Sequence, residues 1–312
     1  MSAPPQSAAA ARADGLSTSA LSAIVLGLAA LIWLPACMRF SIEWSLNAQY
    51  YYGWAVPFLA LYLAYERITG CPPAMTPARP VIPILFIVVL ALPQPFLRLV
   101  SEANSDWRLI EWSMAFSAAG ISFGLFYLAG GWPWVRQFAF PVLFMATAVP
   151  WPVGMETTLV QGMMRLNASI SADFVSLCGV PAIAEGNVIQ LPTGTLGVNE
   201  ACSGIRSLQS TLMASIFLGG LYQLPIFARV VVALVGIGLA FVLNIVRTVF
   251  LSWQGAFHGI EATEKWHDSA GFAILGVVLV CLWLISRFLE KRFAPPLAPR
   301  VGNTSPEAPS AS

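Results

Sequence analysis

One cysteine in this sequence has a position that favours nucleophilic chemistry. Cys202 comes just before an apolar run that starts near Ser203, so its sulfur is predicted at a helix N-terminus. Unpaired N–H groups and the helix dipole favour a thiolate at such an end. Arg206 follows one helical turn later, and a nearby guanidinium favours the anion further. The alternative is an inert packing cysteine beside an arginine that reaches towards the membrane surface.

Two later residues have types that complement a thiolate. Arg247 shares one face of an apolar run with Asn244, and a guanidinium inside a span is costly and normally has a partner within the bundle. Its alternative role is an ion pair that joins two helices. His267 comes just before the last apolar run, followed by Asp268 as a residue of N-cap type. One alternative is that His267 is an exposed histidine at the membrane interface, and another is that His258 has the functional role instead.

Cys202, Arg247 and His267 belong to three different apolar runs, and all three are predicted on the same side of the membrane. A thiolate, a fixed cation and a proton carrier are the groups that covalent acyl transfer needs. The five cysteines are irregularly spaced and there are two histidines, which matches neither a disulfide framework nor a zinc-finger pattern. We therefore expect no metal and no cofactor.

Membrane-spanning helices must position these residues. Hydrophobic residues make up 57% of the chain and charged residues 10%, whereas soluble domains carry about 25% charged residues. The apolar runs are long enough to cross a hydrocarbon layer. We predict an all-α fold, a polytopic transmembrane helical bundle of about eight spans near residues 19–38, 51–65, 81–100, 109–130, 138–154, 203–222, 230–253 and 269–288.

Charge indicates the partners and the orientation. A net charge of +1 argues against nucleic acid, so the lipid bilayer is the expected surrounding. With the N-terminus inside, nine of the 16 basic but only four of the 15 acidic residues are cytoplasmic, which predicts cytoplasmic N- and C-termini and an extracytoplasmic site. Residues 1–17 and the cytoplasmic tail 291–312 are predicted disordered, leaving 18–290 as the catalytic domain. A cleaved signal or lipoprotein site at Cys37 is the alternative for the first run.

One long segment, at about 155–200, is predicted outside the membrane. Its first half should form an amphipathic helix along the outer interface, with an apolar stripe at three- and four-residue spacing. That stripe comprises Leu159, Met163, Leu166, Ile170, Phe174 and Leu177. The second half is rich in turn residues with short β-like runs, and it leads directly to Cys202. We therefore expect an external interfacial helix followed by a loop that forms part of a substrate cleft.

Three stretches resemble the exosortase/archaeosortase family of membrane transpeptidases. VNEACSGIRSL (198–208) is similar to the block around the family's catalytic cysteine, LNIVRTVFLSW (243–253) to its Asn-x-x-Arg block, and WHDSAGF (266–272) to its histidine block. Weaker similarity is found at 49–63 and 149–160. Tyr52-Gly53-Trp54 departs from the family pattern, which has a histidine after the tyrosine.

The resemblance implies Cys202 as the nucleophile and functional roles for Arg247 and His267. Their chemistry suits Arg247 to oxyanion stabilisation and His267 to general acid–base catalysis. We expect Arg206, Asn244 and Asp268 to support them.

The resemblance also implies substrates and a location. The expected enzyme of the bacterial inner membrane cuts secreted proteins that end in a PEP-CTERM-type sorting signal, which consists of a motif such as Pro-Glu-Pro, one spanning helix and a basic cluster. It would form a thioester on Cys202 and transfer the new carboxyl terminus to an unidentified acceptor, in a system tied to exopolysaccharide and cell-surface assembly. Three alternatives remain open: hydrolysis alone, a transporter or assembly scaffold using Arg247 in an ion path, and a rhomboid-like serine protease using Ser203.

Overall fold

The computed structural model describes residues 18–75, 77, 79–104, 106–197 and 204–293. The prediction of an all-α membrane bundle is confirmed, with one small sheet added to it. The described helices are α1 Thr18–Leu46, α2 Val56–Tyr65, α3 Val81–Ala91, α4 Gln94–Ala103, α5 Arg108–Phe144, α6 Val153–Leu177, α7 Ile205–Leu221, α8 Ile226–His258 and α9 Ile260–Phe293. A 3₁₀ segment, Ala48–Trp54, joins α1 to α2, and another, Met145–Ala148, extends α5.

Several of these helices are suited to a hydrocarbon surrounding. In the described part of the chain, five helical stretches are long and apolar enough to cross a bilayer, namely Thr18–Leu46, Val81–Ala103, Arg108–Ala148, Ile226–His258 and Glu261–Phe293. Only 6% of the most apolar window of Val81–Ala103 is buried within the protein, so its other side chains need lipid contact. The chain is thus a multi-pass membrane protein. The total of eight spans stays a prediction, because α2 and α7 are shorter than these five.

The long helix α5 contains two antiparallel arms. Gly131 has a left-handed φ of 67° and a ψ of −160°, which interrupts the helix between residues 130 and 132. Indole Nε1 of Trp112, near the start of α5, donates to the carbonyl of Pro150 at 2.9 Å, so the second arm returns to the level at which the first began. The structure therefore agrees with the separate runs predicted at 109–130 and 138–154.

The external segment contains the predicted helix, α6. Its buried face carries small and polar side chains such as Asn167 and Ala168 beside Met163 of the predicted stripe, whereas Phe174 and Leu177 of that stripe are exposed. Small side chains let the helix pack closely against α8 and the sheet. Leu166, Phe174 and Leu177 are left exposed on the outer face, where an interfacial helix has apolar side chains.

The β-like runs after α6 form a three-stranded antiparallel meander rather than a plain loop. Its strands are β1 Ile183–Glu185, β2 Val188–Leu191 and β3 Gly194–Gly197, in the order β1-β2-β3. Ile189 and Leu191 of β2 are buried among side chains of α6 and α8. Thr193 also donates to the carbonyl of Gly255 at 2.9 Å, which fixes the sheet to the end of α8.

The connection between the last two helices differs from the prediction. An exposed loop was expected at 254–268, with His267 just before the last helix and Asp268 as a cap residue. In the structure α8 continues to His258, a single Gly259 with φ of 87° makes the turn, and α9 begins at Ile260. The cap prediction is wrong, because His267 and Asp268 lie two turns inside α9.

Candidate active site

Helix α8 carries Arg247 on the face that packs inside the bundle. Ala240, Asn244, Thr248 and Leu251 recur at helical spacing on this face and are buried. The Arg247 side chain is 8% exposed although it is charged. A buried guanidinium needs acceptors for its donors, and these come from α9.

His267 of α9 receives two contacts from a single nitrogen of that guanidinium. Arg247 Nη2 donates to the His267 backbone carbonyl at 3.1 Å and lies 3.2 Å from His267 Nε2. On the other side of the ring, His267 Nδ1 lies 3.0 Å from Asp268 Oδ1. The cation, the imidazole and the carboxylate therefore form one chain of contacts.

These contacts favour one tautomer of His267. A guanidinium has only donors, so its contact with Nε2 is a hydrogen bond when Nε2 accepts and the ring proton is on Nδ1. That proton is then donated to the carboxylate of Asp268. Nε2 is accordingly a lone-pair site that faces Arg247 and becomes available to another proton if Arg247 turns to a different acceptor.

Two glycines allow close approach at this site. A Cβ at Gly271, one turn after His267, would lie 3.4 Å from Arg247 Nη2. Gly204 has φ of 84°, and a Cβ there would be 2.5 Å from the side-chain carbon and nitrogen of Asn244. The start of α7 is thus held directly against α8, one turn from Arg247.

A cavity of about 390 Å³ opens beside these contacts. It is lined by residues from α7, α8, α9 and the 3₁₀ segment: Ala48, Tyr51, Tyr52, Gly204, Arg206, Ser207, Ser210, Arg247, Asp268, Gly271, Phe272 and Leu275. Its two guanidiniums and its hydroxyl groups are suited to hold a polar chain such as a peptide backbone, whereas Phe272 and Leu275 offer apolar contact.

The structure brings together most of the predicted site residues. Arg247, His267 and Asp268 are in contact, Arg206 lines the same cavity, and Asn244 packs against Gly204. Cys202 lies outside the residues that the structure describes. The competing histidine, His258, lies 11 residues beyond Arg247, about 16 Å along the helix axis.

The four cysteines in the described part of the chain lie elsewhere. Cys37 is in the middle of α1, Cys71 follows α2, Cys178 ends α6 and Cys281 is in α9, and none of them lines the cavity. In that same part of the chain, no three His, Cys, Asp or Glu side chains are grouped as metal ligands would be.

A second polar cluster near the site was not foreseen. Arg108, at the start of α5, forms ion pairs with Glu156 of α6 and, at 3.3 Å, with Glu43 of α1. The Tyr50 hydroxyl donates to Glu156 Oε2 at 2.7 Å, and Gln49 also donates to this carboxylate. This cluster anchors the 3₁₀ segment that carries the cavity residues Tyr51 and Tyr52.

The signal for the cluster was present in the sequence. Tyr50 and Glu156 belong to the stretches 49–63 and 149–160, which showed the weaker family similarity. The sequence alone does not show that these two stretches, about a hundred residues apart, come into contact.

Comparison with known families now adds to this geometry. The model of the transmembrane exosortase family matches residues 44–284, which is more than two thirds of the 312 residues. The chain belongs to the transmembrane exosortase family. No curated protein and no solved structure matches it. Exosortases are known as cysteine-type peptidases and transpeptidases, and the matched region includes the cavity and the Arg247–His267 contact.

Proposed function

We propose that this exosortase is a cysteine transpeptidase that cleaves the C-terminal sorting signal of secreted proteins and transfers them to a cell-surface acceptor. The observation that carries the proposal is the Arg247–His267–Asp268 chain beside a cavity whose wall includes Gly204. Gly204 is two residues from Cys202, and two residues of chain span at most about 7 Å. Chain connectivity to Gly204 thus supports Cys202 as the cysteine that acts at this cavity.

The roles follow from the hydrogen-bond pattern. As the substrate carbonyl enters, its oxygen replaces His267 Nε2 as an acceptor for Arg247, and Nε2 can then accept a proton. The thiol proton of Cys202 passes to Nε2, sulfur attacks the carbonyl carbon, and the electron pair of the C=O bond moves to the oxygen beside Arg247. Asp268 stabilises the imidazolium through Nδ1–H, as the third member of such triads does.

The remaining steps complete the transfer. The electron pair on the oxyanion re-forms the C=O bond as the C–N bond breaks, and Nε2–H protonates the leaving nitrogen, which leaves a thioester on Cys202. An acceptor nucleophile then attacks the thioester and gives its proton to Nε2. The C–S bond breaks, and sulfur takes the proton back as the thiol. Water in place of the acceptor gives hydrolysis by the same steps, so the residues alone favour neither outcome.

The distribution of basic residues supports an extracytoplasmic site, and the family resemblance implies the bacterial inner membrane as its location. The N-in, C-in orientation that the basic residues favour puts the Arg247 end of α8 outside. Reporter fusions at Gly259 test this orientation. A cytoplasmic signal there would exclude secreted substrates.

A transporter or scaffold is the second class of function. Transport sites tend to lie near the middle of the bilayer. Arg247 instead lies three turns before the end of α8, and its partners are in the first turns of α9. This placement near one end of the bundle favours the enzyme.

The test of the proposal is a Cys202→Ser variant co-expressed with a secreted reporter that ends in a sorting signal. We expect no cleaved reporter, while the variant inserts and accumulates like the wild type. Cys37→Ala, Cys71→Ala, Cys178→Ala and Cys281→Ala serve as matched controls and should cleave normally. Equal loss from Cys178→Ala and Cys202→Ser would indicate a structural disulfide and end the nucleophile assignment.

A further inference from the structure

A pair of arginines lies at the opposite end of the bundle from the candidate active site. Arg67 follows α2 and Arg229 is in the first turn of α8. Their Cζ atoms lie 5.4 Å and 4.7 Å from the centroid of the same aromatic ring, that of Phe140. Two half-buried guanidiniums therefore share one small region.

The partners of this pair are neutral. Arg67 donates to the carbonyls of Leu63 at 2.6 Å and Gly220 at 3.4 Å, and Arg229 Nε donates to the carbonyl of Leu224 at 2.7 Å. Among the residues that the structure describes, no carboxylate forms an ion pair with either arginine.

The charge of the pair exceeds what the local backbone can balance. The C-terminal ends of α2 and α7 lie here and attract cations, but each helix end carries only about half an elementary charge. Two guanidiniums thus leave a net positive site of about +1. Burial and the nearby Arg229 both lower the pKa of Arg67, so an anion between the two would relieve an unfavourable arrangement.

The side chains around this pair are of the kinds found at the level of lipid head groups. Tyr65, Ile226 and Phe227 are next to it in the chain and are 66%, 77% and 68% exposed. Exposed aromatic and apolar side chains beside arginines are typical of the membrane interface. Basic pockets between helices at this level bind phosphate-bearing lipids.

We propose that Arg67 and Arg229 form a binding site for a phosphate anion, distinct from the catalytic cavity. The phosphate could belong to an anionic phospholipid head group or be free inorganic phosphate, since both offer the oxygens that a guanidinium fork binds. The site does not depend on the proposed enzymatic activity.

The test uses the full-length protein purified in a neutral detergent. Binding of phosphatidylglycerol is measured by native mass spectrometry and by the rise in melting temperature, beside phosphatidylcholine and inorganic phosphate at equal concentration. We expect phosphatidylglycerol to bind and to raise the melting temperature of the wild type. The double variant Arg67→Gln/Arg229→Gln should bind about 25-fold more weakly, at about fivefold for each arginine near a lipid surface.

Two further variants keep the result interpretable. Arg98→Gln removes an exposed arginine paired with Glu102 and should bind like the wild type. Arg67→Lys/Arg229→Lys keeps both charges and should recover part of the binding, even if the glutamine pair folds poorly. Binding of phosphatidylglycerol alone assigns the site to the lipid, and equal binding of inorganic phosphate assigns it to phosphate itself. Absence of both, or equal binding by the wild type and the glutamine pair, would overturn the proposal.

Discussion

The sharpest prediction concerns Arg247→Lys, because lysine keeps the charge and loses the planar fork. In the structure one guanidinium nitrogen donates both to the His267 carbonyl and towards Nε2. A lysine side chain is shorter, so its ammonium ends short of that position and its contacts with both acceptors are weakened. Hydrogen bonds from charged groups contribute about 1.5–3 kcal/mol, so we expect a loss of stability of about 2 kcal/mol and a protein that still folds.

The expected loss of activity is larger than the loss of stability. Removing one donor to a developing oxyanion lowers kcat by about 10²- to 10³-fold, or about 2.7–4 kcal/mol. We therefore expect Arg247→Lys to process substrate at least about a hundred times more slowly than the wild type.

The assay is a pulse-chase of a secreted reporter with a C-terminal sorting signal, which compares initial cleavage rates at equal enzyme levels. Arg98→Lys, an exposed arginine paired with Glu102, controls for the substitution itself and should cleave normally. Near-normal cleavage by Arg247→Lys at normal accumulation would refute the reasoning. Arg247 would then be a structural cation, for which a point charge suffices.

Three further predictions test the positioning of the site. His267→Gln keeps an acceptor for Arg247 but cannot carry a proton, so we expect the cleavage rate to fall about 10²- to 10⁴-fold while the melting temperature stays unchanged. A normal cleavage rate would show that His267 only positions Arg247. Gly204 has φ of 84° and a Cβ there would clash with Asn244, so Gly204→Ala should lower the free energy of unfolding by at least about 1–2 kcal/mol in a thermal melt. Gly238→Ala, whose new Cβ has nothing within 4 Å, should leave the melting temperature unchanged. Arg108→Gln leaves two carboxylates without their cation and should cost about 3–5 kcal/mol; an unchanged melting temperature would contradict this network.

The sequence by itself was enough to predict the membrane bundle and the types of the reactive residues. Runs of apolar residues predict spanning helices because a bilayer leaves the backbone few other ways to satisfy its hydrogen bonds. A guanidinium at Arg247 is costly in that setting, so its presence alone indicated a function. The assignment to the exosortase family followed from the blocks around Cys202, Arg247 and His267, and the family match confirms it.

Only the tertiary structure decided how these residues meet. Helix periodicity could not show that α9 begins at Ile260, because a polar first turn resembles a loop in sequence, so His267 was placed before the helix instead of inside it. It gave the apolar stripe of α6 but not which of its residues the protein buries, because small residues such as Ala168 pack inside while Phe174 and Leu177 stay exposed. Other contacts join residues that are far apart in the chain. Tyr50 contacts Glu156, and both Arg67 and Arg229 stack on Phe140. Such pairs depend on which helices become neighbours, and that is determined by packing and not by local pattern.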